Sequence, residues 1–210
     1  MDNYLKGGQM LHFIVGITGP TGSGKSFLCE YLHGTGLSVI SADEAAREAM
    51  QKGSECLDEL IAVFGEGIIK NGCLCRKRLA EIAFSSPHKT ELLNKITHPH
   101  IMDIINKKIE NCPSGIIILD APTLFEAGAE KICDIVVAVT ADENKRKKHI
   151  LSRDSMTEEQ ADARINAGKP DSFYNKADVI IKNNGTDKEL LEKGKLLFEQ
   201  IKKKSQNKPL

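Results

Sequence analysis

Nine residues, Gly19 to Phe27 (GPTGSGKSF), hold three glycines, a lysine and a serine directly after the apolar run FIVGIT. At the spacing Gly19-x-x-x-x-Gly24-Lys25-Ser26 these types suit one task, gripping a polyphosphate. Glycines let backbone N–H groups converge on phosphate oxygens with no Cβ in the way. A helix beginning at Lys25 adds the positive end of its dipole. Lys25 would reach the β- and γ-phosphates, and the Ser26 hydroxyl would take Mg²⁺. Gly19, Pro20, Thr21, Gly22, Ser23, Gly24, Lys25, Ser26 and Phe27 are therefore read as a nucleoside triphosphate site.

A loop of this kind serves several chemistries. A guanine switch would carry N-K-x-D after a buried strand, but Asn175-Lys176-Ala177-Asp178 comes before one, and DAPT stands after the third strand in place of D-x-x-G. A remodelling ATPase would end an apolar strand in Asp-Glu; IIILD supplies Asp120 alone, a residue suited either to ordering Mg²⁺ or merely to ending a strand. Phosphoryl transfer to a small molecule fits better. It needs a carboxylate beside the acceptor hydroxyl and a cationic lid, because positioning and charge neutralisation do most of the work. Asp43, at the end of the second strand, offers the carboxylate, with N-capping as its structural alternative. Ser152 to Ile165 offers the lid, with Arg153 and Arg164 as donors and a capping-box pattern at Thr157.

These groups must be held by a sheet. Five short apolar runs read as strands: FIVGI, LSVIS (37–41), IIILD (116–120), DIVVAV (134–139) and DVIIK (178–182). Helical periodicity separates them, which means a parallel sheet covered on both faces. The expected fold is a three-layer α/β phosphate-loop fold with a five-stranded parallel sheet, a helical insert over 46–114 and a helical lid over about 146–177. The core would be 13–45 with 115–205, and 1–12 a flexible N-terminal extension.

Lys plus Arg and Asp plus Glu balance at 29 each, so composition offers no argument for a nucleic-acid or membrane partner. No apolar run approaches a membrane span, no signal-peptide pattern opens the chain, and a cytoplasmic protein is expected. The six cysteines lack zinc-site spacing and read as small apolar groups in a reducing compartment. Nothing speaks to oligomeric state.

The order GxxGSGKS, VISADEAAR, THPHI, DAPTLFEAG, SRDxxTxExAxxRI and ADVIIKNNG resembles the dephospho-CoA kinase family from about Ile14 to Gly185. The resemblance implies ATP-dependent phosphorylation of the ribose 3′-hydroxyl of dephospho-CoA, the last step of coenzyme A synthesis, with Mg²⁺. It implies that Asp43 is the general base and that Arg47, Arg78, His98, Leu124 and Glu126 lie with the acceptor, the insert being the acceptor-binding domain. Arg153 would meet the ATP phosphates and Asn183 would lie near the adenine. Ser41 stands where the family usually has Asp, His149 where it has Arg, Gly168 where Gln is common, and Thr123 replaces the first Leu after Pro122. Arg146, about one turn before His149, offers a compensating charge. The alternatives are a related kinase for another nucleotide or metabolite hydroxyl, and a regulatory nucleotide-binding protein.

Overall fold

The computed structural model describes residues 5–6 and 9–207. The expectation of a flexible extension falls partly outside them. Of its residues, Leu5–Lys6 and Gln9–Met10 pair antiparallel.

Five strands form one sheet: β1 (Phe13–Thr18), β2 (Ser38–Ser41), β3 (Ile116–Asp120), β4 (Ile135–Thr140) and β5 (Val179–Lys182), in the order β2-β3-β1-β4-β5. β1 is parallel to both of its neighbours, with Ile17 opposite Asp120 and Val137, and β4 pairs with β5 in the same sense. The strands are nearly continuous apolar runs because helices flank the sheet. All six residues of β4 are buried.

The chain divides into two compact units, Met1–Ile40 with Cys112–Leu210, and Ser41–Asn111. In the first, α1 (Lys25–Gly34) and α8 (Asp187–Gln206) share one core with the sheet. Val15, Ile17, Leu28 and Leu32 meet Val137, Leu190, Leu197 and Ile201 there. The same unit carries the helical pair α6 (Glu143–Arg153) and α7 (Glu158–Asn166), packed through Ile150, Ala161 and Ile165. Thr157 closes α7 with the capping box its sequence predicts: Thr157 accepts from Gln160 N, and the Gln160 side chain accepts from Thr157 N.

The second unit holds α2 (Ala42–Ala49), α3 (Glu55–Phe64), α4 (Arg76–Ala83) and the long α5 (Pro87–Glu110) around Ala49, Cys56, Leu60, Ile68, Leu79 and Ala83. It is not all helical. Ile69–Lys70 and Cys73–Leu74 form an antiparallel hairpin across Asn71-Gly72, both with positive φ (54° and 74°). Asn-Gly between extended pairs is the turn that strand twist favours, a signal passed over in reading this stretch as helix. His98-Pro99 lies inside α5, so Pro99 removes one helical N–H donor mid-course.

Candidate active site

The phosphate loop runs from the end of β1 into α1, and its glycines answer to what lies behind the loop. A Cβ at Gly19 would stand 2.1 Å from the Val139 carbonyl of β4. Gly24 has φ 97°, and a Cβ there would meet Asn183 Nδ2 at 2.4 Å. The sequence-level reason for glycine was open access for phosphate. The structure adds another, that the loop lies directly against the carboxyl ends of β4 and β5. Asn183 completes the seat. It is buried, its Nδ2 donates to Ser23 O (2.8 Å), and its Oδ1 accepts from Lys145 Nζ (2.8 Å). Both ends of the amide that the resemblance sets near the adenine are thus engaged within the unit.

Lys25 opens α1, and its ammonium pairs with the Asp120 carboxylate at the end of β3, with both side chains mostly buried. Asp120, weighed above only as an alternative, is the acidic partner the loop lysine uses. Ser26 and Phe27, one residue on, are exposed. Beneath them Cys29 is buried, and burial, reinforced by the Asp120 charge, pushes its thiol up to about 12. Cys133 reaches about 12 as well, again mainly through burial. Both sulfurs stay protonated at neutral pH.

Helix α6 flanks the loop. Arg146 Nε donates to Thr21 O (3.0 Å), and the His149 ring nitrogen Nδ1 lies 2.8 Å from Gly22 O. The departure at His149 and the compensating Arg146 are therefore both fastened to the loop itself. At the helix end Arg153 grips Asp154 through Nε (3.0 Å) and Nη2 (2.9 Å), and Arg164 Nη1 reaches the same carboxylate (2.7 Å). The bonds from Arg153, then the neighbouring Arg charges, hold Asp154 below the usual carboxylate range. Arg153 and Arg164 are both exposed and share this one counter-ion.

After β3 the chain makes the turn 121–128. Glu126 is exposed, but Leu124 is fully buried, its methyls packed where a Cβ on Gly16 would fall (2.9 Å). Leu124 thus shapes this turn from within. Phe125 stacks edge-on with Phe173 (5.8 Å), and the Lys176 ammonium lies 4.1 Å from both ring centres. Lys176 and Asp178 belong to the N-K-x-D look-alike. Asp178 spends its carboxylate on Val136 N (2.7 Å), an internal strand contact. Neither residue is arranged to read a base.

In the second unit Asp43 and Arg47 lie on α2 and both are exposed. Ser41 is the N-cap, its hydroxyl accepting from Glu44 N (3.3 Å), so the capping alternative for Asp43 is removed and its carboxylate stands in the first helical turn. β2 ends at Ser41, as its sequence predicts, and Asp43 follows two residues later. Arg78, on α4, donates to Gly67 O (3.3 Å) from an exposed position. His98 is half-buried on α5. The neighbouring His100 Nε2 contacts Glu59 (3.0 Å). Among the described residues no helix is long and apolar enough to cross a membrane.

With this geometry in place, the comparisons are specific. The family model for dephospho-CoA kinase matches residues 13–189. The chain belongs to the dephospho-CoA kinase family. Dephospho-CoA kinase of Fusobacterium nucleatum is 36% identical over 190 residues, covering 90% of this chain and 98% of that one. That of Arabidopsis thaliana is 36% identical over 195 residues, covering 90% and 84%. Among solved structures, a Thermus thermophilus protein superposes with a TM-score of 0.77 at 28% identity, over 89% of this chain and 97% of its own. The family shares the kinase fold more widely: shikimate kinase of Bacteroides thetaiotaomicron aligns with a TM-score of 0.52 at 13% identity, over 89% and 98%, a likeness of fold alone.

Proposed function

We propose that this kinase transfers the γ-phosphoryl group of ATP to the ribose 3′-hydroxyl of dephospho-CoA, giving CoA and ADP. The observation that carries the reading is the seated loop with Lys25 and exposed Ser26, in a chain matched to the family over residues 13–189. The acceptor oxygen bonds to the γ-phosphorus as the β–γ bridging P–O bond breaks, and the hydroxyl proton passes to Asp43. A carboxylate in that place contributes typically about 10²- to 10⁴-fold. Lys25 exchanges its bond to Asp120 for the β- and γ-oxygens, and Arg153 leaves Asp154 to meet the same charge.

Mg²⁺ fits the residues present. Ser26 and Asp120 offer hard oxygen donors of the kind it takes alongside nucleotide phosphates. When bound, it neutralises charge on the β- and γ-oxygens. Arg47, Arg78, His98 and Glu126 are proposed to hold the acceptor, and Asn183 to brace the loop at the edge of the adenine site. The helical unit is proposed as the acceptor-binding domain and the lid as residues 146–177, in a cytoplasmic enzyme.

The test is ADP release with ATP and Mg²⁺, comparing dephospho-CoA, adenosine, AMP and no acceptor. Release with dephospho-CoA alone, with CoA formed, is expected. Release with a different acceptor would move the substrate assignment, and release indifferent to acceptor would end it.

A further inference from the structure

Arg146 is an expensive residue for the fold to keep. Its side chain is 7% exposed, and among the described residues its only acidic partner, Asp171, stands at 3.8 Å from Nη1 with a carboxylate 60% exposed. Nη2 is buried with no hydrogen-bond partner among the described residues. A buried cation with a distant counter-ion and an unpaired donor opposes stability, and an apolar side chain of similar volume generally serves a core better. On the Nη2 side a Cβ on Gly168 would lie 3.9 Å away, and a cavity of about 420 Å³ is lined by Arg146, Glu143, Gly168, Lys169 and Asp171.

What the residue does make is one good bond, Nε to Thr21 O at 3.0 Å. The peptide that follows Thr21 is planar and trans, so its C=O and N–H point opposite ways. Fixing the Thr21 carbonyl toward α6 turns the Gly22 N–H away from α6. The next peptide is fixed as well, with Gly22 O beside His149 and Ser23 N bonded back to Pro20 O (3.2 Å). Gly22 itself must be glycine because its φ is 78° and a Cβ would stand 2.6 Å from the Arg146 carbonyl. Backbone and side chain of one residue therefore hold the loop's central turn.

We infer that Arg146 is a positioning residue for the nucleotide: it sets the Thr21–Gly22 peptide so that the Gly22 N–H is presented to phosphate. The inference rests on the nucleotide reading of the loop. Arg146→Met separates the function from the fold. It removes the orphaned charge and keeps the volume, so the melting temperature holds or rises. ADP affinity falls, and the KM for ATP rises, by about tenfold, the scale of one well-placed hydrogen bond to a charged group. The KM for the acceptor stays put. Arg146→Lys, which keeps one donor within reach of Thr21 O, restores most of the ADP affinity.

ADP titration of the wild type by calorimetry comes first, since a wild type that binds no ADP would overturn the nucleotide reading itself. A wild type that binds, beside an Arg146→Met that binds equally well, would overturn this inference alone. So would an Arg146→Met protein that melts early and loses ADP and acceptor affinity together, for then the residue is structural. Should Arg146→Met not fold, Arg146→Lys decides: lost ADP affinity in a protein of wild-type melting temperature would also count against the assignment.

Discussion

The phosphate loop and the helical unit present their polar groups in opposite ways. Around the loop the chemistry belongs to the backbone, and side chains serve to seat it: Asn183 behind, Arg146 and His149 beside, and Asp120 holding Lys25. In the helical unit the candidate groups, Asp43, Arg47 and Arg78, are exposed side chains on short helices whose buried faces are apolar. A backbone site is insensitive to which side chains fill its variable positions but intolerant of any Cβ at its seat. A side-chain site reverses this. Its residues can be exchanged without harm to the fold, and each exchange alters what is recognised.

Lys25→Met should have the largest effect. It removes the charge on the transferring group and leaves Asp120 without its partner, and a loss of about 10³-fold or more in kcat/KM for ATP is expected, read by steady-state ADP release. Asp43→Asn comes next and cuts the other way. It should lower kcat by about 10²- to 10⁴-fold with ADP affinity unchanged; an equal loss of both would return Asp43 to a structural role. Gly24→Ala tests the seat. The new Cβ meets Asn183 at 2.4 Å on a backbone of φ 97°, so unfolding free energy should fall by about 2–4 kcal/mol, seen as a lower denaturant midpoint. Arg78→Ala is the mildest. It should raise the KM for the acceptor alone and move stability by no more than about 0.5 kcal/mol; a raised KM for ATP would break the contrast between the two regions.

Much of this was legible in order along the chain. The loop motif, the five strands and the capping box at Thr157 are local patterns, each spelled out in a dozen residues or fewer. What escaped is non-local or contrary to a local prior. That Gly19 faces Val139 and Gly24 faces Asn183 depends on which strands lie adjacent, so the glycines could be noticed but not fully explained. That Leu124 is buried against Gly16 likewise depends on how β1 and the turn after β3 pack. Proline disfavours helix interiors, yet the packing of α5 on α2, α3 and α4 carries the helix through Pro99. The Asn71-Gly72 hairpin is different in kind. Its signal was present and local, and was outweighed by the helical periodicity on either side.

The core that joins β1 and α1 to α8 sets a timetable. Leu190, Leu197 and Ile201 pack among Val15, Ile17 and Leu28, and a Cβ on Gly24 would lie 3.1 Å from Leu190. The ribosome delivers the loop early and α8 late. At cellular rates of elongation the interval is roughly ten to thirty seconds. Through that time the nascent chain carries a finished motif with half of its support still unmade, and ATP in the surrounding cell meets a loop that is not yet a site. Nucleotide binding in this enzyme thus waits on the delivery of α8, and lesions in α8, far along the chain from the glycines, would register first as lost affinity for ATP.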